Sequence, residues 1–441
     1  MKSLYLNFAV KSLSSRAKQF RSLFSVCAVG VCIMLFVLMV TDGMLDSMTE
    51  KMRQYYGGDF MILSDIENPY CNTGVVEDYE EMIAALREIL PKGTEVSYRY
   101  KKDSGDKSVF FEGVSVKQRS VQGVDFSLEK ELFKKFNFVE GGISEREEND
   151  SILISEPVAK KLGVHIGDSI VLLMRSLLGY QNTITLVVEG IFQDSSVFGM
   201  YTSYIDYKAL KTVLGFDELE LFGLSSNFVD KICVYYPNGA PGKKELLRVQ
   251  SELEKRFEMF PLSYDKSDWQ NYETPQGKKV FALVPLAANV SDLQKLSIAL
   301  RAIVASIVIM LVVIISVGIS SAFRVIILKR SVESGTFRAL GMKPSGLMTL
   351  YFTEILLLLV SGSAIGFATS LAFARIASVY NLSFVSGFDL FLTGGHLAPK
   401  LYGGEAAVLL SIIFVTTLGA VLFTLRKLVH ISPVGALATV T

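Results

Sequence analysis

At 441 residues, 50% of them hydrophobic and 20% charged, the chain has a mean hydropathy of +0.38, too apolar for an ordinary soluble protein unless its charge is confined to one part. It is confined: residues 43–300 carry 29 of the 44 basic and 39 of the 44 acidic side chains, net −10, and the remainder is net +10. The balanced total hides two opposite halves, and neither has the composition of a nucleic-acid binder.

Residues 2–21 alternate apolar and basic positions, Leu4, Tyr5, Phe8 and Leu13 against Lys2, Lys11, Arg16 and Lys18. The pattern suits a cytoplasmic interfacial helix over residues 1–21, although a plain basic anchor fits nearly as well. Crossing roughly 30 Å of hydrocarbon takes about 20 helical residues. Uncharged runs of that length are Ser22 to Thr41, Ala302 to Phe323 and Ala406 to Leu425, and the run from Ser345 to Ala374 is interrupted only by Glu354. Backbone cannot stay unpaired in lipid, so these read as transmembrane helices over residues 22–42, 301–324, 346–374 and 405–425. The first is longer than a secretory signal's apolar core, and Thr41-Asp42-Gly43-Met44 offers no small-x-small cleavage site, so an uncleaved anchor is expected.

Lys and Arg crowd before span one, between spans two and three, and after span four, whereas only Arg375 and Lys400 lie between spans three and four. The positive-inside bias places both termini, the 325–345 loop and the 426–441 tail in the cytoplasm, with residues 43–300 and 375–404 outside.

The external segment opens at Gly57-Gly58 with an expected strand from 59 to 63. A helix is expected over 77–90, then strands over 95–100 and 109–116. Further on come a strand at 151–154, a helix at 156–162, strands at 169–174, 183–192 and 231–236, and an amphipathic helix at 244–257. Interleaved strands and helices predict an α+β or α/β domain in two subdomains. Residues 261–295, with Pro261, Pro275, Pro285 and the only tryptophan, Trp269, read as loop. Cys71 and Cys233 would permit a disulfide in an oxidising compartment, two free thiols being the other reading. Cys27 and Cys32 read as small apolar packers in span one.

Chemistry of the chain's own is not expected. His165, His396 and His430 stand far apart without the spaced Cys, Asp or Glu partners of a metal site. Gly239-Ala240-Pro241-Gly242-Lys243 lacks the spacing of a phosphate loop, and no nucleophile elbow or Cys/His pairing is present. No cofactor is called for, and energy from ATP would have to come from another subunit.

The most specific segment is Leu328-Lys329-Arg330-Ser331-Val332-Glu333-Ser334-Gly335-Thr336-Phe337-Arg338-Ala339-Leu340-Gly341-Met342-Lys343-Pro344. It resembles the coupling segment of the FtsX-like (MacB/LolC-type) permeases of ABC transporters, in which a basic pair is followed by Glu-x-Gly and then by basic-Ala-Leu-Gly. Glu333, Gly335, Arg338, Ala339, Leu340 and Gly341 match, while Ser331 and Ser334 replace an arginine and an aliphatic residue. The resemblance continues through Ile152 to Glu156, Leu162 to Asp168, Val188 to Ile191, Glu354 with Ser361 to Gly366, and Ile431 to Leu437. It implies a fold of four transmembrane helices with a MacB-like periplasmic α+β domain between helices 1 and 2. It further implies a non-catalytic permease of the bacterial cell inner membrane, working with a cytoplasmic ABC ATPase dimer and a second permease subunit, in a homo- or heterodimer.

Read physically, the segment is a short amphipathic helix stopped by Gly341 and Pro344, suited to docking in a partner's cleft. Glu354, two turns inside span three, must face other helices or water; a hydrogen bond to a Ser or Thr of a neighbouring span is the expected role, with coupling or a substrate path as the alternative. Gly362 and Gly366 have the small-xxx-small spacing of close helix approach.

Among the family's uses, lipoprotein release is expected first, with mechanotransmission or export as the alternative. The external domain of about 250 residues argues against cell-wall hydrolase regulators, the four spans against the eight-span peptide-sensing permeases, and the lack of a fused ATPase in the sequence against the macrolide-exporter type. A faint resemblance of Ser267-Asp268-Trp269-Gln270 to lipoprotein-releasing permeases points the same way, with a lipoprotein or periplasmic protein as further partner. A membrane-anchored sensor or adhesion protein without an ATPase is the reading from another class.

Overall fold

The computed structural model describes residues 2–64, 74–102, 105–143, 150–194, 196, 198–223, 225–237, 239–265, 268, 279–385 and 387–429. Cys71, Trp269 with its neighbours Ser267 and Gln270, His430 and the Ile431 to Leu437 motif lie outside them. The chain divides into two compact units, one of Met1–Leu45, Ser297–Tyr380 and Leu397–Thr441, the other of Asp46–Leu296 and Asn381–His396.

Four helices are long and apolar enough to cross a membrane: Lys18–Tyr56, Gln294–Lys329, Pro344–Val379 and Gly403–Arg426. The first two outrun the apolar runs that announce them. The first belongs to a 40-residue helix, Ala17–Tyr56, about 60 Å long at the usual rise: no proline follows Thr41 in it, and the single glycine there, Gly43, costs only about 1 kcal/mol, so the helix runs on to Gly57 and Gly58. Those glycines take φ of 95° and 110°, and both their N–H groups return to Arg53 O, at 3.1 and 2.9 Å.

Small residues and hydroxyls set the packing of the first unit. A Cβ added at Gly366 would lie 2.6 Å from Ala28 O and 2.9 Å from Val31 Cβ, and one at Gly362 3.0 Å from Cys27 Sγ. The small-xxx-small pair therefore seats the third long helix against the first. Between the second and fourth, Ser316 pairs with Thr416 and Thr417, both at 3.1 Å, and Ser320 with Thr424 at 2.9 Å. Met34, Leu35, Ile319, Ile355, Leu359, Ile413 and Val421 fill the interior.

The second unit is built on one mixed sheet of 13 strands, so the two expected subdomains share a single hydrogen-bonded layer. From one edge its order is Met259–Phe260, Phe281–Pro285, Phe60–Ser64, Lys231–Tyr235, Glu95–Lys102, Ser120–Val124, Thr202–Asp206, Ser151–Ser155, Gln181–Phe192, Ser169–Arg175, Lys107–Phe111 and Val114–Lys117. Phe138–Gly141 pairs with Gln181–Phe192 off this path. Helices Tyr79–Ile89, Glu156–Leu162, Tyr207–Leu214 and Lys243–Leu253 bury their apolar faces in its core. In the first of these, Tyr79, Met82, Ile83 and Leu86 recur at helical spacing.

Two expectations are corrected. The single strand expected over 109–116 is a hairpin with Phe111 opposite Val114, because Glu112 and Gly113 both take positive φ, 44° and 85°, as a two-residue primed turn requires. The loop expected over 261–295 contains the strand Phe281–Pro285, the helix Leu286–Asn289 and the start of Ser291–Lys329; Pro285 closes a strand there. The segment Asn381–His396, expected as external loop, packs into this unit: Leu390 and Phe391 meet Met48, Met52, Leu286 and Val290, and Ser47 bonds Thr393 at 2.8 Å.

A buried ion pair fixes the end of the first long helix within this unit. Arg99 and Glu129 are both fully buried and meet at 2.6 Å, while Arg99 Nη1 donates to Gln54 O at 2.8 Å, one of the carbonyls that a helix end leaves unpaired. Cys233 is a free, fully buried thiol.

Candidate functional site

Sequence points to the nine-residue helix Ser331–Ala339, the turn after it and Glu354. The helix is closed by Met342 N–H donating to Phe337 O at 3.0 Å and Gly341 N–H donating to Arg338 O at 3.1 Å. This is a Schellman closure, and it needs the left-handed Gly341, φ 91°. Lys343 is extended and Pro344 opens the next helix, as expected from the Gly-x-x-Pro spacing. Phe337 and Met342, the pair such a closure brings together, both pack on the apolar core.

The helix has two faces. Val332, Thr336, Ala339 and Leu340 are exposed at positions i, i+4, i+7 and i+8, one uncharged stripe, with Leu340 81% exposed. Turned inward are the buried Gly335 and the half-buried Glu333, Phe337 and Arg338. Thus the predicted residues separate: Ala339, Leu340 and Gly341 face out, whereas Glu333, Gly335 and Glu354 face in.

The inward groups form an ionic chain. Arg330, 4% exposed, donates from Nη1 to Glu354 Oε2 at 2.6 Å, from Nε to Glu333 Oε2 at 3.2 Å and from Nη2 to Ser12 Oγ at 3.3 Å. Its guanidinium lies over the Tyr351 ring, 5.2 Å from the centroid, a cation–π contact. Arg16 grips Glu333 with both terminal nitrogens. That fork holds the Glu333 carboxyl below its ordinary carboxylate range, against partial burial and with help from Arg330. Charge alternates along Arg16, Glu333, Arg330 and Glu354, so the chain is neutral overall.

Glu354 therefore has an arginine partner rather than the expected Ser or Thr. The second long helix ends at Lys329, which brings the next residue, Arg330, to the side of the third. Glu354 is fully buried, and its Oε1 finds no hydrogen-bond partner among the described residues.

The N-terminal helix Lys2–Ser15, expected to lie in the membrane interface, packs on this assembly. Phe8 meets Phe337 edge-on at 5.8 Å, and Ala9 and Ser12 are buried. Arg16, Arg330 and Tyr351 were not singled out as site residues by sequence. One signal was available: a carboxylate in an apolar span demands a cation, and the basic pair Lys329-Arg330 is near in the chain.

A separate cavity of about 470 Å³ in the second unit is lined by Lys51, Tyr55, Lys135, Phe192, Asp194 and Tyr204, among others. Its lysines already pair with acids, Lys51 with Asp194 at 3.8 Å and Lys135 with Glu50 at 3.1 Å. Among the described residues no three His, Cys, Asp or Glu side chains gather as a metal site would require.

Residues 25–240 match the family described as MacB-like periplasmic core domain, and residues 304–433 match the FtsX-like permease C-terminal family. No curated protein matches the chain.

Proposed function

The chain belongs to the FtsX/MacB/LolC-type family of ABC transporter permeases, and from that premise we propose that it is the permease through which a cytoplasmic ABC ATPase dimer performs work on the periplasmic side of a bacterial inner membrane. In this reading the four long helices cross the membrane, both termini and residues 325–345 are cytoplasmic, residues 43–300 are periplasmic, and a second permease subunit completes the complex. The ATPase docks on the exposed stripe ending in Ala339, Leu340 and Gly341.

The observation that carries the reading is Leu340. A leucine 81% exposed at the closed C-terminal tip of the helix leaves apolar surface in water, and a partner cleft removes it. The uncharged stripe beside it supports docking by burial rather than by ion pairing.

Lipoprotein release is the most specific use we assign. It is supported by the size of the α+β unit and by the Trp269 segment, and it makes the lipoprotein the cargo. Purification of the tagged chain from native membranes tests the core of the proposal: an ATP-binding subunit should accompany it, and recovery of none overturns the transporter reading. Labelling with an impermeant thiol reagent should modify a cysteine placed at Ser115 and spare one at Thr336; the reverse pattern overturns the orientation. Depleting the chain should leave lipoproteins in the inner membrane, and their normal release would remove that assignment alone.

A further inference from the structure

We infer that Arg330 is the positioning residue that makes the N-terminal helix and the third long helix follow the coupling helix when the ATPase moves it. The inference rests on the proposed permease role and adds to it a residue and a second output element.

Three elements meet at this one side chain. Nε holds Glu333 of the coupling helix, Nη1 holds Glu354 of the third long helix, and Nη2 holds Ser12 of the N-terminal helix. A guanidinium is planar and rigid, so its donors are fixed relative to one another. Displacing Glu333 therefore turns the whole plane, and the donors to Glu354 and Ser12 must turn with it or break. An ammonium in the same place would swivel without transmitting.

The surroundings remove the other ways of relaxing. Arg330 and Glu354 are 4% and 0% exposed, so neither can exchange its partner for water without a large desolvation term. Tyr351 covers one face of the guanidinium, and its hydroxyl bonds Ser334 of the coupling helix at 2.5 Å. The N-terminal helix is gripped at one further point, Phe8 to Phe337, and Arg16, the residue just past its end, holds Glu333. It is thus tied to the coupling helix along its length and not merely tethered by the chain.

A purely structural role for Arg330 would make its replacement lower the yield of folded complex while each assembled complex responded normally. Positioning makes a different statement: assembly persists and the response of the N-terminal helix is lost. The assay is the thiol-labelling rate of a cysteine at Val10, an exposed position of that helix, in the ATPase-bound complex with its native cysteines replaced by serine, with and without ATP.

In the otherwise wild-type complex ATP should change that rate about fivefold or more, the lower end of ordinary allosteric coupling. Arg330→Lys keeps the charge and loses the fork. It should keep the ATPase bound and hydrolysing while the ATP-dependent change at Val10 disappears. Arg330→Met combined with Glu354→Gln, which leaves no unpaired buried charge on that pair, should behave the same way. A wild-type response in Arg330→Lys, or no response in a wild-type complex that hydrolyses ATP, overturns this inference alone. Absence of any ATPase on the wild-type chain overturns the permease reading and the inference with it.

Discussion

Leu340 provides the sharpest test of the docking stripe. Burying a whole leucine side chain contributes about 1.5–3 kcal/mol, and Leu340 still has 81% of its surface in water, so nearly all of that contribution is available to a partner. Leu340→Ala should then weaken ATPase binding by about 1.5–2 kcal/mol, roughly ten- to thirtyfold in Kd. Leu340→Asp places a charge in the closed cleft without a counter-ion, which costs several kcal/mol more, and binding should fall below detection. Neither change touches the fold, since an exposed position contributes within about 0.5 kcal/mol; both variants should insert in the membrane and melt like the parent. Titration of the detergent-solubilised chain with fluorescent ATPase gives Kd, and unfolding of the same samples gives the control. A Kd for Leu340→Asp within about threefold of the parent, a difference below 1 kcal/mol, would refute the assignment of this stripe to the ATPase.

Gly366→Ala should destabilise the full chain more than Gly362→Ala, because the added Cβ meets the Ala28 carbonyl at 2.6 Å rather than the Cys27 sulfur at 3.0 Å; overpacking of this kind costs about 1–3 kcal/mol, and equal melting temperatures would contradict the packing. Glu129→Gln leaves Arg99 buried without its counter-charge and should cost about 3–5 kcal/mol in denaturant unfolding, whereas Arg99→Met with Glu129→Gln should cost less than the sum of the single changes. The Glu333 carboxyl is held below its ordinary range chiefly by Arg16, so its grip on Arg16, just past the end of the N-terminal helix, is present above that ordinary range and is lost as pH falls through the lowered value. The labelling rate of a Val10 cysteine, divided at each pH by that in the Glu333→Gln variant to remove the thiol's own titration, should rise over that acid window, and a ratio independent of pH would contradict the grip.

Much of this was legible in the sequence where the physics is local. Apolar runs announce all four long helices, and the helix at 156–162 is where Pro157 and Gly163 bound it. The Schellman closure at Gly341 follows from Gly and Pro placed beyond an Ala-Leu pair. Legibility ends where the deciding partner is remote. Glu112-Gly113 reads as the middle of one strand because Glu is an unusual occupant of a left-handed turn, and only the pairing of Phe111 with Val114 shows the hairpin. Phe281 to Pro285 reads as loop because Pro285, with Pro261 and Pro275 before it, is a local signal, while its two neighbouring strands are not. Arg16 and Glu333 are 317 residues apart, a separation that no window of periodicity can bridge.

In the proposed coupling role, the two faces of the helix Ser331–Ala339 divide two demands that conflict on a single surface. Release and redocking of a partner favour apolar burial without long-range order, and Val332, Thr336, Ala339 and Leu340 provide that. Transmission favours bonds that resist shear in a fixed direction, which apolar contact does not supply because it is non-directional. The directional bonds are accordingly on the other side, where Arg330 and Glu354 are shielded from water and only Arg16 and Glu333 keep partial access, 33% and 39%. Salt should therefore screen the outer pair strongly, the Debye length falling from about 10 Å to about 3 Å between 0.1 and 1 M, and leave the inner pair nearly untouched. In that proposed role the element can lose its outer ionic grip without losing its connection to the third long helix, and mechanical continuity then resides at Arg330 and not at Arg16.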